Sequence, residues 1–360
     1  MKLVKILLIY FFVGLLLNSC KKDSTAVTLV GNWVKRSEFN GPVRSEAIAF
    51  TVGSKSYIGL GMSFDSKTRL TDFWEYDVVS DYWTQKADFT GPARTSATAF
   101  ATDLKGYVAT GYDGTNYLFD TYEYNPSGNL WKKMASLFDT IVSIDPNTQN
   151  TIISYKEAGR YDAVSFGLNN KGYLGTGFDG NYLKDFWRFD PTVGDSGKWS
   201  RIASIGGSKR TGATSFVING KGYVCCGVSN GSYVSDFWTF DPATESWSIL
   251  RPIKNISTET YDDAYTSIVR EYGVAFIIDS KAYVTAGING SIVTATWEYD
   301  PATDLWTQKT SFEGTPRYGT VAFTVSNRGY IATGRSSNYR FDDCWEFKPN
   351  DAVNTNDNGD

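Results

Sequence analysis

The sequence predicts an all-β chain in which six four-stranded antiparallel sheets are arranged as a closed ring. Three observations carry this prediction. An arginine opens each of six similar units, at Arg44, Arg94, Arg160, Arg210, Arg270 and Arg317. A Tyr-aliphatic-x-x-Gly strand follows each arginine, ending at Gly61, Gly111, Gly177, Gly227, Gly287 and Gly334. A tryptophan-bearing outer strand follows five of the units, and its missing sixth copy lies at the other end of the chain, around Trp33.

The unit from Arg210 to Trp247 shows the grammar of all six. Thr211–Ile218 gives one strand, Tyr223–Gly227 a second, Val234–Phe240 a third and the stretch around Trp247 a fourth. Asn-Gly-Lys-Gly, Asn230-Gly231 and Asp241-Pro242 break them. Such turns suit hairpins because Asn and Gly accept positive φ and Pro presets its own. The third strands read Asp72–Asp77, Asp120–Asn125, Asp185–Asp190, Asp236–Asp241, Ala295–Asp300 and Asp343–Lys348. One sheet cannot bury both of its faces, so each unit needs its copies as neighbours. Gly31–Arg44 matches Asp81–Arg94 in its Trp, Phe, Gly-Pro and Arg, so the strand around Trp33 is expected to complete the last sheet. Closure leaves no unpaired inner edge.

A period near 50 with this strand order resembles the kelch repeat, and the resemblance runs from Trp33 to Lys348. It implies a six-bladed β-propeller over residues 29–349, with four antiparallel strands per blade and the last blade closed by the N-terminal strand. One departure is the usual Gly-Gly doublet, which here has Leu60, Thr110, Thr176, Cys226, Ala286 or Thr333 in its first position. Close backbone packing at that position is therefore expected to be relaxed. All eleven tryptophans fall in third or fourth strands, so none is left for a ligand platform.

Residues 1–19 read as a signal peptide: Lys2 and Lys5 precede an apolar run from Ile6 to Leu17, followed by Leu17-Asn18-Ser19-Cys20. That ending resembles a bacterial lipoprotein signal, which implies lipidation of Cys20, a tether over residues 20–28, and a membrane-anchored protein at the outer membrane or cell surface. Residues 350–360, rich in Asn, Asp and Gly, read as a disordered tail. Lys and Arg number 35 against 39 Asp and Glu; without Lys2 and Lys5 the balance is 33 against 39, or −6. An acidic chain gives no support for nucleic-acid binding. Cys225, Cys226 and Cys344 read as buried free thiols on packed strands of a monomeric propeller.

In a four-stranded meander, second-to-third turns and blade-to-blade crossings share one face of the ring. The opposite face carries tight turns with Lys55, Lys105, Lys171, Lys221, Lys281 and Arg328, expected to pair locally with Asp81, Asp195, Glu245 and Asp304. The first face carries the variation, including two long crossings, Leu137–Gly159 and Arg251–Val269. Function is expected there.

The six leading arginines also begin on this face. They either tie crossing carbonyls together in every blade or point some of their number into the axial opening to receive an anion. Glu46, Asp162 and Glu271 are the candidate partners for their charge. Lys67, Arg69, Arg335 and Arg340 crowd the seam of blades six and one, while Asp139, Asp145, Glu157, Glu259, Asp262 and Asp263 belong to the long crossings. An acidic ligand such as a carboxylated glycan would approach that seam, with Tyr161, Tyr272 and Tyr318 lining the mouth.

The chain contains no histidine. That removes Ser-His-Asp and Cys-His catalysis, His-based zinc sites and the copper site of kelch-type oxidases. Calcium loops, phosphate loops and the Asp boxes of sialidase propellers are absent as motifs, and no metal or cofactor is implied. The leading expectation is a lipid-anchored binding or scaffolding module for a protein or acidic glycan. The alternatives are an accessory subunit of an outer-membrane glycan uptake or adhesion complex, and an enzyme. Resemblance to propellers of the sialic-acid epimerase type implies metal-independent epimerisation, with Glu46, Asp162 or Glu271 as acid or base.

Overall fold

The computed structural model describes residues 28–337 and 339–359. The signal peptide, Cys20 and most of the tether lie outside the described residues. Six four-stranded antiparallel sheets follow one another around an axis. Blade four, for example, pairs Thr214–Ile218, Lys221–Cys225, Phe237–Asp241 and Ser246–Ile249 in that order, from the axis outward. Blade six takes its outer strand from the start of the chain: Asn32–Lys35 pairs with Cys344–Lys348, placing Trp33 opposite Phe347.

The alternation of each strand puts Phe of the innermost strand against Tyr of the second, and the two rings stack in every blade. Centroids lie 5.1 Å apart for Phe100 and Tyr107, and 5.1 Å for Phe323 and Tyr330. Six apolar clusters result, each spanning the seam between two neighbouring blades. Trp33 is wholly buried in the seam of blades five and six, against Phe276, Phe312 and Phe347. Burying such a ring contributes up to about 5 kcal/mol, which is why so short a strand can hold the ring closed.

The chain after Lys348 differs from the expected disordered tail. Asn354 N–H donates to Asn32 Oδ1 at 2.7 Å, Asn32 Nδ2 to Asp357 Oδ2 at 3.0 Å, and Asn358 Nδ2 to Glu313 Oε2 at 3.1 Å. The polar side chains that suggested disorder satisfy the outer edge of the closing strand instead.

The long crossings are also more ordered than expected. Phe138–Ile144 and Thr151–Glu157 form a projecting hairpin, with Phe138, Val142, Ile144, Ile153 and Tyr155 exposed on one of its faces. Residues 251–269 fold back on blade five through two short turns; Tyr265 is buried, and its hydroxyl donates to the Trp306 carbonyl at 3.2 Å.

On the tight-turn face the basic residues pair across strands rather than with the outer turns. Lys55 meets Asp77, Lys171 meets Asp190, and Arg328 meets Glu346. Asp81 instead accepts from the hydroxyls of Ser37 and Tyr76, at 2.9 and 2.6 Å.

Candidate functional site

Every leading arginine is buried, with at most 2% of its surface exposed. The alternative that pointed some of them into the axial opening is therefore corrected: Arg44, Arg94, Arg160, Arg210, Arg270 and Arg317 lie inside the blades, and each Nε donates to a carbonyl of the crossing before it. Five pair with the aspartate that opens the third strand, namely Asp72, Asp120, Asp185, Asp236 and Asp343. Arg94 is bidentate, at 2.6 and 2.9 Å from the two Asp120 oxygens, and Nη1 also donates to the Thr110 carbonyl at 2.8 Å. Glu46, Asp162 and Glu271 are not the arginines' partners, because the third strand brings a carboxylate to each guanidinium first. Only Arg270 lacks one, since Ala295 replaces the aspartate. It donates to the carbonyls of Ile268, Ala286, Ala295 and Ser267, and burial pushes its pKa down to about 10.

The carbonyl that accepts from each arginine belongs to the residue before the repeat glycine. That residue keeps a left-handed backbone in all six blades, from φ 58° at Ala286 to 64° at Cys226. The expected relaxation at this position is thus also corrected. The geometry is retained by non-glycine residues, at about 1–2 kcal/mol each, and the arginine hydrogen bond holds it. The glycine itself cannot be replaced: a Cβ on Gly227 would lie 2.7 Å from the Thr211 carbonyl oxygen.

Two residues beyond each arginine the chain turns left-handed again, at Glu46, Ser96, Asp162, Gly212, Tyr272 and Gly319. Here the turn feeds the axis. Ser96 N–H donates to the Glu46 carbonyl, Asp162 to Ser96, Gly212 to Asp162, Tyr272 to Gly212 and Glu46 to Gly319, at 2.8–3.1 Å, so a belt of five hydrogen bonds runs around the opening from Gly319 to Tyr272. The belt surrounds a cavity of about 200 Å3, above a channel lined by the small residues of the innermost strands.

Six equivalent positions line this mouth, and they are chemically unequal. The two glycines leave room that their neighbours fill. Tyr272 lies over Gly212, where a Cβ would come within 3.3 Å of its ring, and its hydroxyl donates to Asp162 Oδ2 at 3.0 Å, joining blades five and three. Glu46 lies over Gly319 in the same way. Burial raises the Asp162 carboxyl, and nearby Glu46 and Glu271 add to this against the hydrogen bonds from Ser96 and Tyr272, leaving it at about 6. Burial also raises Glu271, and burial together with the charge of Asp162 raises Tyr272 and Tyr161.

A second tier stands around the belt, built by the residue after each repeat glycine and its short ladder partners. Blade one contributes Ser45, Met62 and Arg69; blade two Thr95, Tyr112 and Tyr117; blade three Tyr161, Phe178 and Tyr182. Blades four, five and six contribute Thr211, Val228 and Tyr233, then Glu271, Ile288 and Ile292, then Tyr318, Arg335 and Arg340.

The tier brings together part of the expected seam. Arg335 Nε lies 3.7 Å from Glu46 Oε1, and its guanidinium donates to the Tyr318 hydroxyl and sits over that ring. Arg340 reaches across to blade one, donating to Ser45 Oγ at 2.8 Å and to the Phe64 carbonyl at 3.2 Å, while burial lowers its pKa. Tyr272 and Tyr318 have centroids 6.3 Å apart. Arg69 leans the other way, onto Tyr112 of blade two, and Tyr161 belongs to an aromatic group there.

Residues that sequence reasoning missed are Ser96 in the belt and Tyr112, Tyr117, Phe178 and Tyr182 in the tier. The signal was present for Ser96, Tyr112 and Phe178, which hold a fixed offset from a repeat arginine or glycine; the offset of Tyr117 and Tyr182 varies with the length of the turn. Among the described residues no group of three or more Cys, Asp or Glu is arranged to hold a metal ion.

A family model described as the kelch motif matches residues 209–253, the unit whose grammar the other five repeat. The chain is a six-bladed β-propeller with a kelch motif in its fourth blade. The solved structure of YjhT superposes with a TM-score of 0.65 at 18% identity, over 86% of this chain and 95% of that one, which speaks to the fold alone. Two similar proteins are N-acetylneuraminate epimerases. That of Escherichia coli O1:K1 / APEC is 26% identical over 237 residues, covering 54% of this propeller and 56% of the relative. That of Shigella sonnei (strain Ss046) is 25% identical over 202 residues, covering 45% and 50%. The chain spans about half the length of the curated relatives it matches.

Proposed function

We propose that this propeller binds an acidic sugar at the axial mouth and interconverts its ring forms without a metal. The observation that carries the reading is the Tyr272–Asp162 contact across Gly212. It holds a carboxyl with a pKa near 6 in the mouth, within reach of the charges of Glu46 and Glu271, and Glu46 in turn lies 3.7 Å from the Arg335 guanidinium.

A group that titrates near the working pH is the most effective proton shuttle. Opening a sugar ring needs only protons on oxygen to move. Asp162 gives its proton to the ring oxygen as the bond to the anomeric carbon breaks. Glu46 or Glu271 takes the proton of the anomeric hydroxyl, and a carbonyl forms. Rotation and reclosure on the other face return both protons and yield the other anomer. The sugar's carboxylate would lie on Arg335 and Arg340, matching the acidic substrate named for the epimerase relatives.

The test is anomeric exchange of N-acetylneuraminate, followed by NMR from a freshly dissolved single anomer. Wild-type protein is expected to accelerate exchange. A rate equal to that of buffer would remove the reading.

A second reading, a binding module for a protein partner, draws on one observation: the exposed apolar face of the hairpin at residues 138–157. A pull-down from envelope extracts lost in a Val142→Ser/Ile153→Ser variant, with sugar exchange absent in both proteins, would favour it. Lipid anchoring through Cys20 is proposed on sequence grounds. Cys20→Ser is expected to move the protein from the detergent phase to the aqueous phase.

A further inference from the structure

Blades two and three differ from the other four in the second tier. Tyr112, Tyr117, Tyr161, Phe178 and Tyr182 form a continuous ridge, with Tyr161 at its centre. Its ring centroid lies 5.6 Å from Tyr117, 5.7 Å from Phe178 and 5.9 Å from Tyr112, and Phe178 is 5.3 Å from Tyr182. The blade architecture does not impose these rings. The equivalent ladder positions hold Met62 and Arg69 in blade one and Ile288 and Ile292 in blade five. All five rings keep part of their surface exposed, Tyr117 most of all at 37%.

The ridge is joined to the mouth, because Tyr161 immediately precedes Asp162 in the chain. The mouth alone is small: about 200 Å3 lies below the ~300–1,000 Å3 of most small-molecule sites. A ligand anchored there and larger than this cavity would extend over the tier. On either side of the ridge lie clefts of about 590 and 610 Å3. Asn116, Asp179 and Lys156 edge the first, and Asn181, Lys209 and Asn230 the second. Open aromatic faces between hydrogen-bonding edges match a pyranose, which has apolar C–H faces and a hydroxylated rim. An aliphatic protein surface would be better matched by the hairpin.

We propose that the ridge is a stacking subsite for pyranose rings, so that the ligand of the mouth is the acidic residue at the reducing end of an oligosaccharide. The orientation rests on the ring-opening reading, which needs the anomeric hydroxyl of the acidic residue free; further sugars then attach through its other hydroxyls and run outward over Tyr161 to Tyr117.

Saturation-transfer NMR and titration calorimetry on the full chain test this. The probes are free N-acetylneuraminate and a disaccharide carrying a second pyranose on that acid, its anomeric hydroxyl free. The disaccharide is expected to bind about tenfold more tightly and to receive saturation on both rings. The Tyr117→Ala/Tyr182→Ala variant should lose that advantage and the signal on the second ring, while its affinity for the monosaccharide is unchanged. Equal affinity for the two ligands, or an advantage that survives in the variant, overturns the subsite. Second-ring saturation without any anomeric exchange would sink the ring-opening reading and uphold the subsite. Exchange of the monosaccharide with no preference for the disaccharide would do the reverse.

Discussion

Two tiers of the same blades, two residues apart along the chain, obey opposite rules. The buried tier repeats: an arginine in every blade, an aspartate in five, and a left-handed carbonyl between them. The mouth tier repeats its backbone and nothing else, since Glu46, Ser96, Asp162, Gly212, Tyr272 and Gly319 share one conformation and almost no chemistry. Side chains that recur around the ring hold it together, and side chains that vary on a recurring backbone are where a single ligand can be recognised. Substitutions in the two tiers should therefore fail in different ways.

The largest effect is expected in the buried tier. Arg94→Ala strands Asp120 without its bidentate partner and frees the Thr110 carbonyl, which accepts at a strained position. Breaking a buried pair from one side costs about 3–5 kcal/mol. Chemical denaturation should show that loss, and any residual sugar binding should fall only in proportion to the unfolded fraction. A variant as stable as wild type would mean that the repeated arginines are not what holds the blades.

Next comes the mouth. Asp162→Asn keeps the shape and the contact with Tyr272 but removes the titrating group, so anomeric exchange should fall by about 10²-fold or more. Thermal stability should not drop. Exchange at the wild-type rate would show that the proton moves elsewhere.

The first tier could be read from the sequence and the second largely could not. The arginines, the tyrosine strands and Trp33 announce themselves by periodicity, and the ring closure follows from counting. The partner of each arginine was also present, as the aspartate opening each third strand. Reasoning from chain neighbours pointed to Glu46, Asp162 and Glu271 because it weighs proximity along the chain, whereas the strand pairing places residues 25 to 28 apart side by side. Tyr272 and Asp162 are 110 residues apart. Their contact needs both the ring geometry and the bare backbone of Gly212. The hairpin at residues 138–157 was legible, with β-branched runs on both sides of Asp145-Pro146, but its polar turn residues made the whole crossing resemble a loop.

A smaller effect sets the mouth apart from the tight-turn face by pH. Asp162 holds its proton more tightly in the folded chain, at about 6 against an ordinary value of 3.8. Between about pH 4 and 6 the unfolded chain ionises this group freely while the folded chain resists. Its contribution to stability therefore falls as pH rises through that window and is flat above it. Asp77 and Asp190, held down to about 2 chiefly by hydrogen bonds from Lys55 and Lys171, act with the opposite sign and at lower pH. Wild type minus Asp162→Asn should isolate the slope, roughly 1–2 kcal/mol after allowance for partial exposure. Parallel melting profiles from pH 4 to 7 would contradict the raised carboxyl.

The smallest change restores the repeat where it is broken. In blade five Ala295 stands where an aspartate serves both the arginine and the tryptophan of blades one, three and six; Asp185, for example, accepts from Arg160 at 2.7 Å and from Trp187 Nε1 at 2.7 Å. Here Arg270 relies on neutral carbonyls, and the buried Trp297 Nε1 has no hydrogen-bond partner. Ala295→Asp supplies both acceptors, which hydrogen bonding to a charged group should convert into about 1 kcal/mol after the carboxylate is desolvated. A higher melting temperature with sugar exchange unaltered would place blade five under the rule of its neighbours. A lower one would mean that the turns over residues 251–269, which supply the Ser267 and Ile268 carbonyls, already satisfy the guanidinium and leave the new carboxylate with nothing to gain.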